Sequence, residues 1–135
     1  MKNKEILEKI LILLSKRDYS EKEIIEKFPS ISFSLLEKLK REKFIDDYKL
    51  SKKIIESLQE KGKGFFYILN ELERRKIDKN IIERIKKEYD MDGEVERCRR
   101  ILEKLKNKKN IQTLIMNLKS RGFSDEVIEK VIHYF

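Results

Sequence analysis

Hydrophobic positions along the chain follow a nine-residue pattern that occurs three times. The segments "ISFSLLEKL" at 31–39, "IDKNIIERI" at 77–85 and "FSDEVIEKV" at 123–131 begin 46 residues apart. In each copy an apolar residue precedes Ser or Asp, and apolar residues then recur at positions i, i+1 and i+4. This spacing places the apolar side chains on one face of an α-helix. The pattern therefore predicts three units, each with a helix that buries an equivalent face.

The polar residue near the start of each copy predicts where the helix begins. Ser32, Asp78 and Ser124 carry side-chain oxygens that can accept a backbone N–H from the first helical turn. The apolar residue just before each cap can fold back against the buried face and fix the direction of the entering chain.

Two further helical patterns precede each copy, so we predict three helices in every unit and nine altogether. Residues that interrupt helices separate these patterns, including Pro29, Gly62, Gly64, the "DMDG" stretch that ends at Gly93, and "RGF" at 121–123. We predict an all-α fold of three tandem three-helix repeats covering residues 1–45, 46–91 and 92–135. A unit of about 45 residues can barely bury enough apolar surface to fold alone. We therefore expect the repeats to stack into an elongated, curved arrangement.

Composition agrees with a helical protein and argues against an enzyme. The chain of 135 residues is 43% charged and has only four Gly and one Pro. Its single cysteine, Cys98, and its single histidine, His133 beside Phe135, offer no disulfide framework and no zinc ligand set. The "GKG" stretch at 62–64 lacks the spacing of a phosphate-binding loop. We therefore predict no catalytic residue, no metal site and no cofactor.

The hydropathy pattern also bears on location. The longest apolar run, "ILILL" at 10–14, is much too short to cross a bilayer, and Glu5 and Glu8 interrupt the stretch where a signal peptide would be apolar. A cytoplasmic protein without a membrane segment is the expectation.

Basic residues offer the remaining candidate function, which is binding. The net charge is +8, and such a surface suits polyanions or acidic protein partners. A solvated, Lys- and Glu-rich helical surface accounts for the same charges without any partner. The candidate contact residues are Arg74, Arg75, Arg97, Arg99, Arg100, Lys104, Lys108, Lys109, Lys119 and Arg121.

Four motifs together resemble the RecX family over nearly the entire chain. They are "YSEKEI" at 19–24, "FIDDYKLS" at 44–51, "GKGFFYILNEL" at 62–72 and "LKSRGF" at 118–123. The resemblance implies a non-enzymatic regulator that binds in the groove of the RecA–DNA filament and modulates, usually by inhibition, its ATP hydrolysis and strand exchange. It further implies the RecA filament as partner. We expect binding to DNA alone to be weak and the protein to be a monomer.

The resemblance also marks residues expected to shape the units rather than to contact a partner. The residues that match the motifs are Asp46, Asp47, Gly64, Glu71, Leu72, Gly122 and Phe123. This chain departs from the family at Leu50 and Ser51, where Phe and Ala are usual, and at Lys76, where Gly is usual. Lysine tolerates positive φ poorly, so the departure at Lys76 challenges the geometry of that helix end.

Two other functions are compatible with the residues. A DNA-binding module of tandem helical units that tolerates any base sequence would bind naked DNA tightly, with a steep dependence on salt. A protein-only helical scaffold would show no dependence on nucleic acid.

Overall fold

The computed structural model describes residues 2–133, and within that range the chain forms nine α-helices. In chain order they are α1 (Asn3–Lys16), α2 (Glu21–Lys27), α3 (Phe33–Arg41), α4 (Asp47–Glu60), α5 (Phe65–Arg74), α6 (Lys79–Glu88), α7 (Met91–Leu105), α8 (Ile111–Ser120) and α9 (Asp125–Ile132). We refer to α1–α3, α4–α6 and α7–α9 as the first, second and third units. Residues 1, 134 and 135 lie outside the described residues. The start of the first predicted repeat, the end of the third and the placement of Phe135 beside His133 therefore lie outside them as well.

Each unit has its own hydrophobic core. The first core centres on Ile6, Ile10 and Ile24, the second on Ile68 and Leu72, and all five side chains are fully buried. The third core gathers apolar residues of α7, α8 and α9, among them Cys98, Leu102, Leu114, Leu118, Val127 and Val131. The prediction of an all-α fold with three tandem three-helix repeats is therefore confirmed. The exact repeat boundaries stay a prediction.

The accessible surface shows that the units are arranged in an elongated molecule. A compact protein of 16.4 kDa exposes about 7,500 Å². This chain exposes 8960 Å². The excess is consistent with three small separate cores that follow one another along the chain.

The predicted caps of the three repeated helices are confirmed. The Ser32 hydroxyl accepts the backbone N–H of Leu35, and the Ser124 hydroxyl accepts that of Val127, both at 3.2 Å. Asp78 accepts the N–H of Asn80 at 2.8 Å. In each unit the third helix therefore begins at the polar residue that the sequence pattern indicates.

The "DMDG" stretch separates α6 from α7 as predicted, because α6 ends at Glu88 and α7 begins at Met91, although the break falls at Asp90 and not at Gly93. Gly93 lies in the first turn of α7, which already begins at Met91. The carboxylate of Asp90 accepts the Gly93 N–H at 3.0 Å and so caps the helix. A strong cap outweighs the modest cost of one helical glycine.

In the described part of the chain, four helices end in a turn whose last residue has positive φ. Gly62 and Gly122 occupy this position after α4 and α8, whereas Lys43 and Lys76 occupy it after α3 and α5, with φ of 66° and 59°. The two hydrogen bonds that define such a turn are present at Lys76, because the Lys76 N–H reaches Glu73 O and the Ile77 N–H reaches Leu72 O. The helix end at Lys76 thus keeps the geometry that glycine normally provides, at a conformational cost to lysine.

The variant Lys43→Gly is expected to raise the free energy of unfolding by about 0.5–1 kcal/mol, because glycine adopts positive φ without strain. Urea denaturation followed by circular dichroism measures the change. Lys61→Gly provides the matched control, since Lys61 lies one position before such a turn residue and has φ of −83°. Equal effects of both substitutions would contradict strain at Lys43.

Candidate interaction surface

Of the two adjacent acids at the start of α4, one caps the helix and the other joins two units. Asp46 caps its own helix, because its carboxylate accepts the Lys49 N–H at 3.0 Å. Asp47 instead uses both carboxylate oxygens on other helices. Oδ1 accepts the N–H of Glu21 at 2.9 Å, at the start of α2, and Oδ2 accepts the N–H of Asp78 at 3.2 Å, just before α6. One side chain therefore satisfies the N-terminal backbone of a helix in the first unit and of another in the second.

The departures from the family pattern at Leu50 and Ser51 fit within the same region. Leu50 packs in the second core and is 6% exposed. Ser51 is fully buried, and its hydroxyl donates to the carbonyl of Asp47 at 2.7 Å. The polar group of Ser51 is thus satisfied within α4, so the change costs little.

Arg75, a predicted partner contact, lies in the joint between the first and second units. Its guanidinium donates to both carboxylate oxygens of Glu23 at 3.2 Å and to the carbonyl of Asp18 at 2.8 Å. Burial alone would raise the pKa of the Glu23 carboxyl. The hydrogen bond and charge of Arg75, the backbone hydrogen bond from Ser20 and the charge of Arg17 outweigh burial, so the pKa of Glu23 is lowered overall. The Arg75 side chain, 14% exposed, is therefore engaged within the protein.

The joint between the second and third units depends on two glycines. The Gly64 N–H donates to Arg121 O at 2.8 Å, and the Phe66 N–H donates to Gly122 O at 3.1 Å. A Cβ on Gly64 would lie 2.6 Å from backbone atoms of Gly122 and Phe123. Gly122 has φ of 100°, and a Cβ there would lie 2.6 Å from Tyr67. These close approaches bring α5 and the end of α8 together.

The remaining motif residues either lie in a hydrophobic core or form an ion pair within their own helix. Leu72 is fully buried and Phe123 is 3% exposed. Glu71 accepts two hydrogen bonds from Arg74 at 2.5 and 2.9 Å, and the hydrogen bond from Arg74 is the main cause of its lowered pKa.

A buried polar cluster lies between α6 and α7, and the sequence analysis did not predict it. Glu94 is fully buried and accepts the Tyr89 hydroxyl at 2.5 Å, while Arg97 donates to the same hydroxyl at 3.1 Å. Burial raises the pKa of Glu94 and raises that of Tyr89 to about 12. The Tyr89 ring stacks on Phe65 with a centroid distance of 4.0 Å. The available signal was that Glu94 shares the helical spacing of Cys98 and Leu102 on α7, where an apolar residue is expected.

The other predicted contact residues differ in how far they are already paired. Arg99 and Arg100 both pair with Glu96, and Lys119 pairs with Asp125. Arg121 donates to the side chain of Asn117 at 2.7 Å. Thus several of the predicted contacts are committed to intramolecular partners.

Lys104, Lys108 and Lys109 form the exposed basic surface that we call the α7–α8 lysine patch. All three are exposed, and within residues 2–133 none of them has an ion-pair partner. Arg100 lies one helical turn before Lys104, on the same side of α7. These three lysines and Arg100 are four of the ten predicted contact residues, and they lie in the third unit. Arg75 lies instead in the joint between the first and second units.

Groups suited to chemistry are sparse in the described residues. No set of three or more His, Cys, Asp or Glu side chains there could hold a metal ion. Burial raises the pKa of the Cys98 thiol to about 12, so the thiolate is disfavoured. Within residues 2–133 every helix is too short or too polar to be a membrane-spanning segment.

The fold and its surface place the chain among tandem helical-repeat proteins. No protein-family model matches it. It is 32% identical over 129 residues to the regulatory protein RecX of Caldanaerobacter subterraneus subsp. tengcongensis, an alignment that covers 90% of this chain and 66% of that protein. The chain belongs to the RecX family, as the sequence motifs indicated. It spans just under two thirds of the length of that curated relative.

Two solved structures share the fold. The crystal structure of RecX from Lactobacillus salivarius matches with a TM-score of 0.83 and 23% identity, covering 97% of this chain and 94% of that one. A second crystal structure, of a regulatory protein RecX, matches with a TM-score of 0.74 and 20% identity, covering 97% of this chain and 71% of that one.

Proposed function

We propose that this protein is a non-enzymatic regulator of RecA that binds in the groove of the RecA–DNA filament and inhibits ATP hydrolysis and strand exchange in recombination and DNA repair. Membership of the RecX family is the observation that carries the proposal. In this proposal the protein acts in the cytoplasm as a monomer, without a cofactor.

The geometry supports binding to a polymer of repeating subunits. Three similar units are joined in a fixed order, so adjacent units can contact adjacent subunits of a filament at the same time. Once one unit binds, the effective concentration of the next is high, and weak single contacts add to a useful affinity. The net charge of +8 favours approach to exposed phosphates or acidic protein surfaces.

Co-sedimentation with preformed RecA filaments on single-stranded DNA tests the proposal. The protein is expected to pellet with the filaments and to lower their ATPase rate. An empty pellet and an unchanged ATPase rate with the protein in excess would contradict the proposal.

The α7–α8 lysine patch is the proposed electrostatic contact. The triple variant Lys104→Glu, Lys108→Glu and Lys109→Glu is expected to weaken filament binding by roughly tenfold or more, because three unpaired cations become anions facing a polyanion. Binding curves at two salt concentrations measure the loss, and circular dichroism checks that helicity is unchanged.

The control for this variant makes the same charge change in another unit. Lys2→Glu, Lys4→Glu and Lys9→Glu alter exposed lysines at the start of the chain and in α1. An equal loss for both triple variants would assign the effect to net charge and remove the patch from the proposal.

The same unpaired lysines favour a second candidate function, binding to DNA without RecA. Gel-shift assays with and without RecA separate the two functions. Tight binding to naked DNA with a steep salt dependence supports the DNA-binding module, whereas binding that requires RecA supports the filament regulator.

A further inference from the structure

The contact between the first and second units is polarised in charge. Among residues 2–133, three ion pairs cross this contact, and each has its acid in the first unit and its base in the second. The pairs are Asp18 with Lys53, Glu23 with Arg75, and Glu26 with Lys76. This arrangement attracts the two units to each other through opposite charges.

Apolar packing contributes little across this contact. The first hydrophobic cluster draws its buried residues from positions 6–45 and the second from positions 50–85, and neither includes a buried residue of the other unit. A groove of about 670 Å³ opens between the units, lined by Lys22, Glu26, Lys76 and Ile82 among others. Water and ions therefore reach part of the contact. Two of the three pairs, those of Lys53 and Lys76, have side chains that are 43–58% exposed.

The contact between the second and third units has a different chemistry. It contains two backbone hydrogen bonds, from Gly64 and Phe66, and the close approach of Gly64 to Gly122. The polar cluster beside it is centred on Glu94, which is fully buried. Backbone hydrogen bonds and close contacts that are buried in this way respond weakly to salt.

We infer that the joint between the first and second units is an electrostatic hinge, held by oppositely charged faces and loosened by salt, whereas the joint between the second and third units is rigid. Raising NaCl from about 0.1 M to about 1 M shortens the Debye length from about 10 Å to about 3 Å. Exposed ion pairs lose most of their attraction over that range. The hinge does not depend on the proposed function, because it concerns the isolated chain.

Distances between spin labels test the hinge. One pair, Lys38→Cys with Lys87→Cys, spans the first joint from α3 to α6, and a second pair, Lys87→Cys with Glu129→Cys, spans the other joint from α6 to α9. All three positions are exposed. Cys98 stays in place because it is fully buried and its raised pKa keeps the thiol unreactive.

The distance distribution across the first joint is expected to become roughly twice as broad between low and high salt, with the second joint unchanged. Equal broadening at both joints, or none at either, would overturn the inference. The second label pair thus serves as the internal control for general effects of salt.

A charge exchange tests the polarity of the joint directly. At low salt, Asp18→Lys is expected to broaden the distribution across the first joint, and adding Lys53→Asp is expected to restore it, since the pair is rebuilt in reverse. Both side chains are about half exposed, so neither change threatens a core. If the double variant stays as broad as the single one, the ion pair does not hold the joint.

Discussion

Replacing Gly64 with alanine is expected to lower the free energy of unfolding by about 3 kcal/mol, because the new Cβ would lie 2.6 Å from backbone atoms of Gly122 and Phe123. Backbone atoms cannot move aside as a flexible side chain can. Relief requires α5 and the end of α8 to separate, which also weakens the hydrogen bond from Gly64 N–H to Arg121 O. Urea denaturation measures the loss, and the label pair across the second joint reports the separation.

Gly93→Ala is the matched control for Gly64→Ala. Gly93 lies in the first turn of α7, and the nearest atom to its Cβ position is a carboxylate oxygen of Asp90, the end of a movable side chain. The control is therefore expected to change stability by less than about 1 kcal/mol, with a gain of helix propensity opposing a small adjustment of the cap. Comparable losses at both glycines would show that backbone contact at Gly64 does not determine the result.

Local features of the fold were predictable because their causes lie within a few residues. The capping residues Ser32, Asp78 and Ser124 stand immediately before the helices that they cap. Apolar spacing likewise depends on residues three or four positions apart. Nine helices and their grouping in threes could therefore be predicted for residues 2–133 without knowledge of any long-range contact.

The joints could not be predicted in the same way. Asp47 reaches Glu21 and Asp78, which are 26 and 31 residues away, and Arg75 reaches Glu23 over 52 residues. Nothing in the local sequence distinguishes Arg75, held in a joint, from Arg74, which pairs within its own helix. The family motifs marked Asp47 and Gly64 as important, but their contacts emerge only from the packing of whole units.

The sequence alone also could not show which basic residues are available to contact a partner. In a chain that is 43% charged, most basic residues have an acid three or four positions away, and the sequence does not show which pairs form. In the structure Lys104, Lys108 and Lys109 have no ion-pair partner within residues 2–133, whereas Arg99 and Arg100 both pair with Glu96. Partner contacts are better sought among side chains whose charge is not already neutralised.

The two joints divide the work of holding three small cores together. A unit of this size is marginal alone, so much of its stability comes from its neighbours. At the second joint the stabilising contact is backbone against backbone at Gly64 and Gly122. At the first joint ion pairs such as that of Glu23 with Arg75 are assisted by Asp47, whose carboxylate accepts the N–H of Glu21 in the first unit and that of Asp78 in the second. A substitution that disrupts the contact at either joint should therefore destabilise both of the units that meet there.

Replacing Asp47 with asparagine is expected to lower the free energy of unfolding by about 2 kcal/mol, because one of the two acceptor oxygens becomes an NH₂ donor that faces a backbone N–H. Either Glu21 or Asp78 then loses its acceptor at a partly buried helix start. Urea denaturation measures the loss, and faster hydrogen exchange at one of those two amides identifies which. Asp46→Asn is the control, since asparagine caps a helix about as well as aspartate and Asp46 accepts only the N–H of Lys49 among these contacts. If the two variants lose the same stability, the second hydrogen bond of Asp47 does not stabilise the joint.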